Sequence, residues 1–196
     1  MITVIDIGIS NVRSVANALE FLELSFRISS DPKEVEKSNK MIFPGVGNYG
    51  VAVKKMKENG VDEAIMNALK KNSYFLGICL GMQLLFEESK EAEEAKGLGL
   101  FKGRVEKLKL KRVPNIGWNE VNLEKNELFK GLDEKEMFYF AHSYACVPMK
   151  KEIVIGKTEN GIVGAVQKNN VFGVQFHPEK SSEKGLKILK NYGELK

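Results

Sequence analysis

The stretch Tyr74-Phe75-Leu76-Gly77-Ile78-Cys79-Leu80-Gly81-Met82-Gln83-Leu84-Leu85-Phe86 limits the folds open to this chain more than any other. Tyr74 to Ile78 has the length and aromatic content of a buried strand. Beyond Cys79, the spacing of Leu80, Met82, Leu84 and Leu85 fits a helical stripe better than alternation. The change of period falls at Cys79, with a glycine two residues to either side. Gly-x-Cys-x-Gly is the thiol form of a nucleophile elbow: the glycines let strand and helix crowd together and leave the central side chain exposed at the turn. A thiol so placed lies at the positive end of a helix dipole, which favours thiolate over thiol.

The rest of the first half alternates strand and helix. Residues 2–7 form an apolar strand ending at Gly8, and Ser10 or Asn11 is placed to cap a helix whose apolar face is Val12, Val15, Ala16, Leu19 and Leu22. Residues 24–28 read as a second strand, and Asp31-Pro32 opens a short helix. Residues 40–43 make a third strand stopped by Pro44, and a helical stretch over about 50–71 is interrupted near Gly60. Strands separated by helices predict an α/β fold, a mostly parallel sheet with helices on both faces. Sites in such sheets form in loops at the carboxyl ends of the strands, here the loop after Phe43 and the elbow itself.

The charged run over residues 87–96 reads as an exposed helix or loop. From about Gly103 the pattern changes to short strands over 104–110, 118–123, 137–140, 153–158 and 162–166, with a hairpin turn at Glu159-Asn160-Gly161. That half predicts a mixed or antiparallel addition to the parallel core. Residues 171–176 form a closing strand, and a last helix runs from Ser181 or Ser182 to about Tyr192, capped by that serine. No repeat or low-complexity linker divides the chain, so residues 1–196 read as one domain.

Composition excludes several functions. With 196 residues and 43% hydrophobic content the chain can bury a substantial core, and no run approaches a membrane span. The N-terminus lacks a basic segment and a small-residue cleavage site, and two cysteines are too few for a disulfide framework. A reduced, cytoplasmic protein follows. Thirty basic and 26 acidic residues are spread along the chain, as on a lysine-rich surface rather than a nucleic-acid site. Neither cysteine has a second ligand at zinc-like spacing, and nothing requires a metal or organic cofactor.

A nucleophilic cysteine needs a base, and the base needs orienting. Of the two histidines, His142 lacks an acidic residue close by in sequence, whereas His177 ends a strand with Glu179 just beyond Pro178. The proline biases His177 towards an extended backbone, which can set the Glu179 carboxylate beside the imidazole nitrogen facing away from Cys79. The order Cys79…His177…Glu179 has the logic of a catalytic triad. Taken alone, a cysteine after an apolar strand is a small buried hydrophobe and His-Pro-Glu a plain turn; two motifs on strand ends of one sheet support each other. Pro44-Gly45-Val46-Gly47-Asn48-Tyr49-Gly50 also follows a strand. So glycine-rich a loop can bring backbone N–H groups to a reacting carbonyl and, with the N–H of Leu80, form an oxyanion hole. The absence of a following Gly-Lys-Ser/Thr weakens a phosphate-loop reading.

These blocks, with Gly77–Gln83 and Gln175–Lys180, resemble the three signatures of class I, triad-type glutamine amidotransferases. Within that family the chain looks most like the glutaminase subunits of imidazole glycerol phosphate synthases, on Asp6-Ile7-Gly8, Asn11-Val12-Arg13-Ser14, the segment 113–119 and His142-Ser143-Tyr144. The resemblance implies that Cys79 attacks the side-chain amide of glutamine, with His177 as base and then acid and Glu179 as its orienter. Val46, Gly47 and Leu80 match oxyanion positions; Gln83, Ser143 and Tyr144 match positions near the substrate. It further implies a (β/α)8-barrel cyclase subunit as partner in a heterodimer. That subunit receives the ammonia for histidine biosynthesis and is faced by Asn11, Pro114, Asn115, Ile116, Trp118 and Lys180. The chain departs from the family's usual pattern in having Asn115-Ile116 for His-Met and Ala145 for a second tyrosine. Two other readings stay open: the same chemistry serving sugar amidation in surface-polysaccharide pathways, and a non-catalytic binding subunit.

Overall fold

The computed structural model describes residues 1–9 and 11–196, so a cap at Ser10 lies outside the described residues. The first half runs β1 (Ile2–Ile5), α1 (Val12–Phe21), β2 (Phe26–Ser29), α2 (Pro32–Glu36), β3 (Lys40–Gly45), α3 (Tyr49–Glu58), α4 (Val61–Lys70) and β4 (Tyr74–Cys79). There follow α5 (Leu80–Gln83), β5 (Phe86–Ser89), β6 (Ala92–Lys96), β7 (Phe101–Lys107), β8 (Asn115–Leu123), β9 (Lys135–His142) and β10 (Tyr144–Pro148). The chain closes with β11 (Val154–Thr158), β12 (Val163–Lys168), β13 (Val171–Val174) and α6 (Ser182–Glu194).

Among the described residues, one sheet has nine strands in the order β2-β1-β3-β4-β13-β12-β11-β8-β9. Its β2-β1-β3-β4-β13 part is parallel and the remainder antiparallel. A smaller sheet, β10-β7-β5-β6, lies beside it. Alternation along the parallel strands supplies two cores. Met41, Phe43 and Phe75 pack with Val53, Met56 and Ile65 of α3 and α4, while Ile42, Leu76 and Ile78 pack with Val15, Leu19, Ile188 and Tyr192 of α1 and α6. Helices therefore cover both faces, as the alternating pattern predicts. No helix among the described residues is long and apolar enough to cross a membrane.

Local chemistry accounts for several boundaries. The Asp31 carboxylate accepts from the Lys33 N–H with Pro32 at the first helical position, and Asn48 caps α3 by accepting from the Val51 N–H. Gly60, at φ 66°, divides α3 from α4. Gly161, at φ 81°, turns β11 into β12 where the hairpin is expected.

Elsewhere the structure corrects the reading. β3 passes through Pro44 to Gly45, because its ladder with β1 ends at Ile42 and the missing proline N–H leaves no bond unmade there. The helix after the elbow is a single turn: Leu84 and Leu85 give their carbonyls to the N–H groups of Leu98 and Phe101, which leads the chain into the small sheet. Residues 87–96, expected as helix or loop, contain a hairpin of β5 and β6. Its charges take partners across the solvent face, Lys96 with Glu88 at 2.9 Å and Lys102 with Glu87 at 2.5 Å. β10 was not foreseen at all. Neither Asn11 nor Ser181 makes a side-chain cap; Ser181 instead accepts from the Tyr139 N–H at 2.9 Å and donates to the His177 carbonyl at 2.6 Å.

Candidate active site

The sheet order sets the site. β4 lies between β3 and β13, all parallel, with Cys79 level with Gly45 on one side and Ile78 level with Val174 on the other. Residues 46–48 therefore leave the sheet on one flank of Cys79, and Gln175, Phe176 and His177 on the other. Cys79 sits at φ 53°, ψ −104°, a conformation rare for a residue with a side chain and found where surrounding structure enforces it. The enforcement comes from close approach. A Cβ on Gly81 would fall 2.0 Å from the Phe43 carbonyl oxygen, and one on Gly77 would fall 2.4 Å from that of Gly81. The elbow thus forms as read, with one difference: Cys79 is buried, only 6% exposed, and lines a cavity of about 280 Å³.

His177 meets Glu179 as the His-Pro-Glu spacing predicts. Its backbone is extended at φ −100°, ψ 97°, and its Nδ1 lies 2.9 Å from the Glu179 carboxylate, with side-chain exposures of 2% and 4%. Burial pulls the imidazole towards its neutral form, but Cys79 and Glu179 beside it outweigh burial and raise its pKa to about 10. Nδ1–H donates to the carboxylate, while Nε2 on the other side of the ring makes no hydrogen bond.

His142 is a different case. It is buried, which lowers its pKa, and the neutral ring donates from Nδ1 to the Tyr144 carbonyl at 2.8 Å; its Nε2 accepts from Asn115 Nδ2 at 3.1 Å. The cavity is lined by Val46, Gly47, Leu80, Gln83, Ser143 and Tyr144 together with Cys79. These expected positions therefore converge. Gly47 has φ 111°, open to glycine alone without strain, and its surroundings leave the space beside it free.

Glu91 lines the same cavity, and sequence reading passed over it inside a charged run. Its carboxylate accepts from the Tyr49 N–H at 2.8 Å, which ties the β5–β6 hairpin to the helix following residues 46–48. Only an acidic residue in a tight turn between two short strands would have marked it. Of the partner-facing positions, Pro114 and Ile116 stand at the cavity, Ile116 63% exposed, and Trp118 is 49% exposed with its ring edge-on to Tyr139. Asn11 and Lys180 are exposed and do not line the cavity, while the Asn115 side chain turns inward to His142.

Cys79, at a strained strand end, and the glycine-containing loop line one cavity, to which His142 rather than His177 contributes. The buried His177–Glu179 pair stands at the end of the neighbouring strand, and together these groups have the chemistry that nucleophilic acyl transfer needs. Residues 3–193 match the family model of glutamine amidotransferase class-I, and the chain belongs to that family. The imidazole glycerol phosphate synthase subunit HisH of Pyrococcus furiosus is 48% identical over 198 residues, spanning 99% of this chain and 98% of that one. The subunit of the same name from Caldanaerobacter subterraneus is 44% identical over 199 residues, spanning 100% and 98%. A crystal structure described as a glutamine amidotransferase superposes with a TM-score of 0.79 at 19% identity, over 97% of this chain and 98% of that one. PurLQS from Thermotoga maritima gives 0.73 at 22% identity, over 97% and 96%. These two likenesses show the fold.

Proposed function

We propose that the chain, as a single amidotransferase domain, hydrolyses glutamine and passes the ammonia to a barrel-type cyclase subunit that makes imidazole glycerol phosphate in the cytoplasm. The observation that carries the chemistry is the buried His177–Glu179 pair at the strand end beside Cys79. The Cys79 sulfur attacks the amide carbon of glutamine, and the carbonyl electrons move to oxygen, met by the N–H groups of residues 46–47 and of Leu80. His177 gives a proton to the departing ammonia, leaving a thioester. It then takes a proton from water, whose oxygen adds to the thioester carbon, and collapse breaks the carbon–sulfur bond to release glutamate. Glu179 holds the ring in the donating tautomer throughout. Full-length likeness to the HisH relatives supports the histidine pathway over sugar amidation. An intact Cys79, His177 and Glu179 speaks against a binding-only subunit.

The exposed Ile116 at the cavity and Trp118 two residues further along suit docking of the second subunit, and Asn11, Pro114, Asn115 and Lys180 are the other positions proposed to face it. The test is incubation with a glutamine-analogue electrophile, followed by intact mass. One adduct is expected, abolished by Cys79→Ala, and glutamine turnover rises when a candidate cyclase is added. Failure to form an adduct with or without the cyclase rejects the enzyme reading; equal turnover with and without it rejects the coupling.

A further inference from the structure

The register that sets His177 at the strand end beside Cys79 also places a second side chain against the sulfur. Val174 is level with Ile78, so the next residues along the parallel pair are Gln175 and Cys79. Gln175 has no exposed surface, and a buried amide must satisfy both its ends. Which end meets the sulfur follows from a carbonyl that can only accept. Gln83 Nε2 donates to the Tyr144 carbonyl at 2.9 Å, which fixes the orientation of the Gln83 amide. The same NH2 group lies 3.3 Å from Gln175 Oε1, so that oxygen faces Gln83. The Gln175 NH2 group is left pointing at Cys79 Sγ, 3.6 Å away, a normal distance for a hydrogen bond to sulfur. The direction of this chain is thus set by backbone chemistry and not by how an amide's oxygen and nitrogen are told apart.

We propose that Gln175 is a catalytic residue of the glutaminase reaction: its side-chain N–H donates to the Cys79 sulfur and stabilises negative charge there. The assignment rests on Cys79 being the nucleophile. His177 also faces the sulfur, since Cys79 helps to raise its pKa, but its proton leaves with ammonia during the reaction, whereas the Gln175 N–H stays in place through both steps. In the first step the sulfur loses its charge as the carbon–sulfur bond forms and ammonia leaves with a proton from His177. In the second, water adds to the thioester, its proton goes to His177, and the carbon–sulfur bond breaks with its electron pair returning to sulfur. A donor at sulfur therefore assists departure of the thiolate in the second step and raises the thiolate population that begins the first. Gln83, which lines the substrate cavity, keeps that donor aimed.

The test is the pH dependence of Cys79 alkylation by iodoacetamide, which reads the thiol without glutamine or a cyclase. It is run on the parent, on Q175M (similar in volume, no donor) and on Q175E (same shape, donor removed), each with a thermal melt. The midpoint of the rate profile is expected to move up by about one pH unit in Q175M, about tenfold slower alkylation below the midpoint, and at least as far in Q175E. Should Q175M not fold, Q175E carries the comparison. A folded variant whose profile overlays the parent's overturns the proposal, even if its melting temperature falls, because lost packing leaves the profile in place. If instead the glutamine-analogue adduct persists in Cys79→Ala, the underlying glutaminase reading fails, a separate and distinguishable result.

Discussion

Replacing Glu179 by Gln separates what the carboxylate does by position from what it does by charge. An amide oxygen in place of Oε1 still accepts from His177 Nδ1 at the 2.9 Å spacing, so the ring keeps its orientation. What disappears is a negative charge whose side chain is only 4% exposed. Burial already pulls His177 towards neutrality, and the lift to about 10 depends on Cys79 and Glu179 together. Without the Glu179 charge, burial regains ground and the imidazolium forms less readily in each proton transfer. A hydrogen bond to a charged group contributes about 1.5–3 kcal/mol, which corresponds to roughly 10- to 150-fold in kcat. Steady-state glutamate release, with a candidate cyclase present, is measured for Glu179→Gln, His177→Asn and Cys79→Ala. The expected result is a fall in kcat within that range, little change in KM, an alkaline limb moved to lower pH, and a smaller loss than either other variant shows. A loss equal to that of His177→Asn, or none, refutes the orienting role.

Three other outcomes follow from the same geometry. Gly81→Ala sets a Cβ 2.0 Å from the Phe43 carbonyl oxygen in the middle of the sheet, where only backbone can give; about 1–3 kcal/mol of stability is lost, at roughly 2–4 °C of melting temperature each, and an unchanged melt by calorimetry refutes it. Phe176→Ala removes a fully buried ring stacked on Phe138 at 4.1 Å immediately before His177. About 3–5 kcal/mol is lost in urea unfolding, and a loss below about 1 kcal/mol sinks the packing account. His142, held neutral by burial, has a folded pKa below its unfolded value near 6.5. Its contribution is therefore complete above about pH 6.5 and is lost as pH falls through the folded pKa. His177, raised instead, is protonated in both folded and unfolded chains below that pH and adds no slope. His142→Asn is expected to flatten the fall of stability as pH drops below about 6.5 in urea titrations; an unaltered slope there rules His142 out as its source.

What could be read from the sequence was whatever depends on neighbours along the chain. Gly77, Cys79 and Gly81 betray the elbow because their crowding is local, and His177 finds Glu179 because only Pro178 intervenes. The two faces of the parallel strands show in the order Met41, Ile42, Phe43. What stayed hidden depends on pairing across the fold. Glu87, Glu88 and Lys96 look like a solvated helix because charge masks the alternation of a two-stranded edge, and Glu91 gains its meaning only from the Tyr49 N–H, far away in sequence. The amide of Gln175 sits in plain view beside the recognised histidine, yet its orientation depends on the Tyr144 carbonyl in another sheet.

Ser181 carries this contrast furthest. Sequence logic makes it a helix cap, since it stands just before α6, and caps contribute about 1 kcal/mol. The hydroxyl instead joins β9 to the turn after His177, accepting from the Tyr139 N–H and donating to the His177 carbonyl. The His177 N–H donates to the Tyr139 carbonyl at 2.9 Å, so a single residue of β9 and one serine hold both backbone groups of the histidine. Gly185 lets α6 press onto the same turn, where a Cβ would lie 2.0 Å from the Pro178 carbonyl oxygen. The serine forgoes a cap worth little to a helix already held by the buried Ile188, Leu189 and Tyr192, and fixes the one backbone segment whose position sets the distance from imidazole to thiol. Positioning here comes from backbone gripped by backbone, which is why the side chains of Cys79, His177 and Glu179 stood out in the sequence and the frame that aims His177 did not.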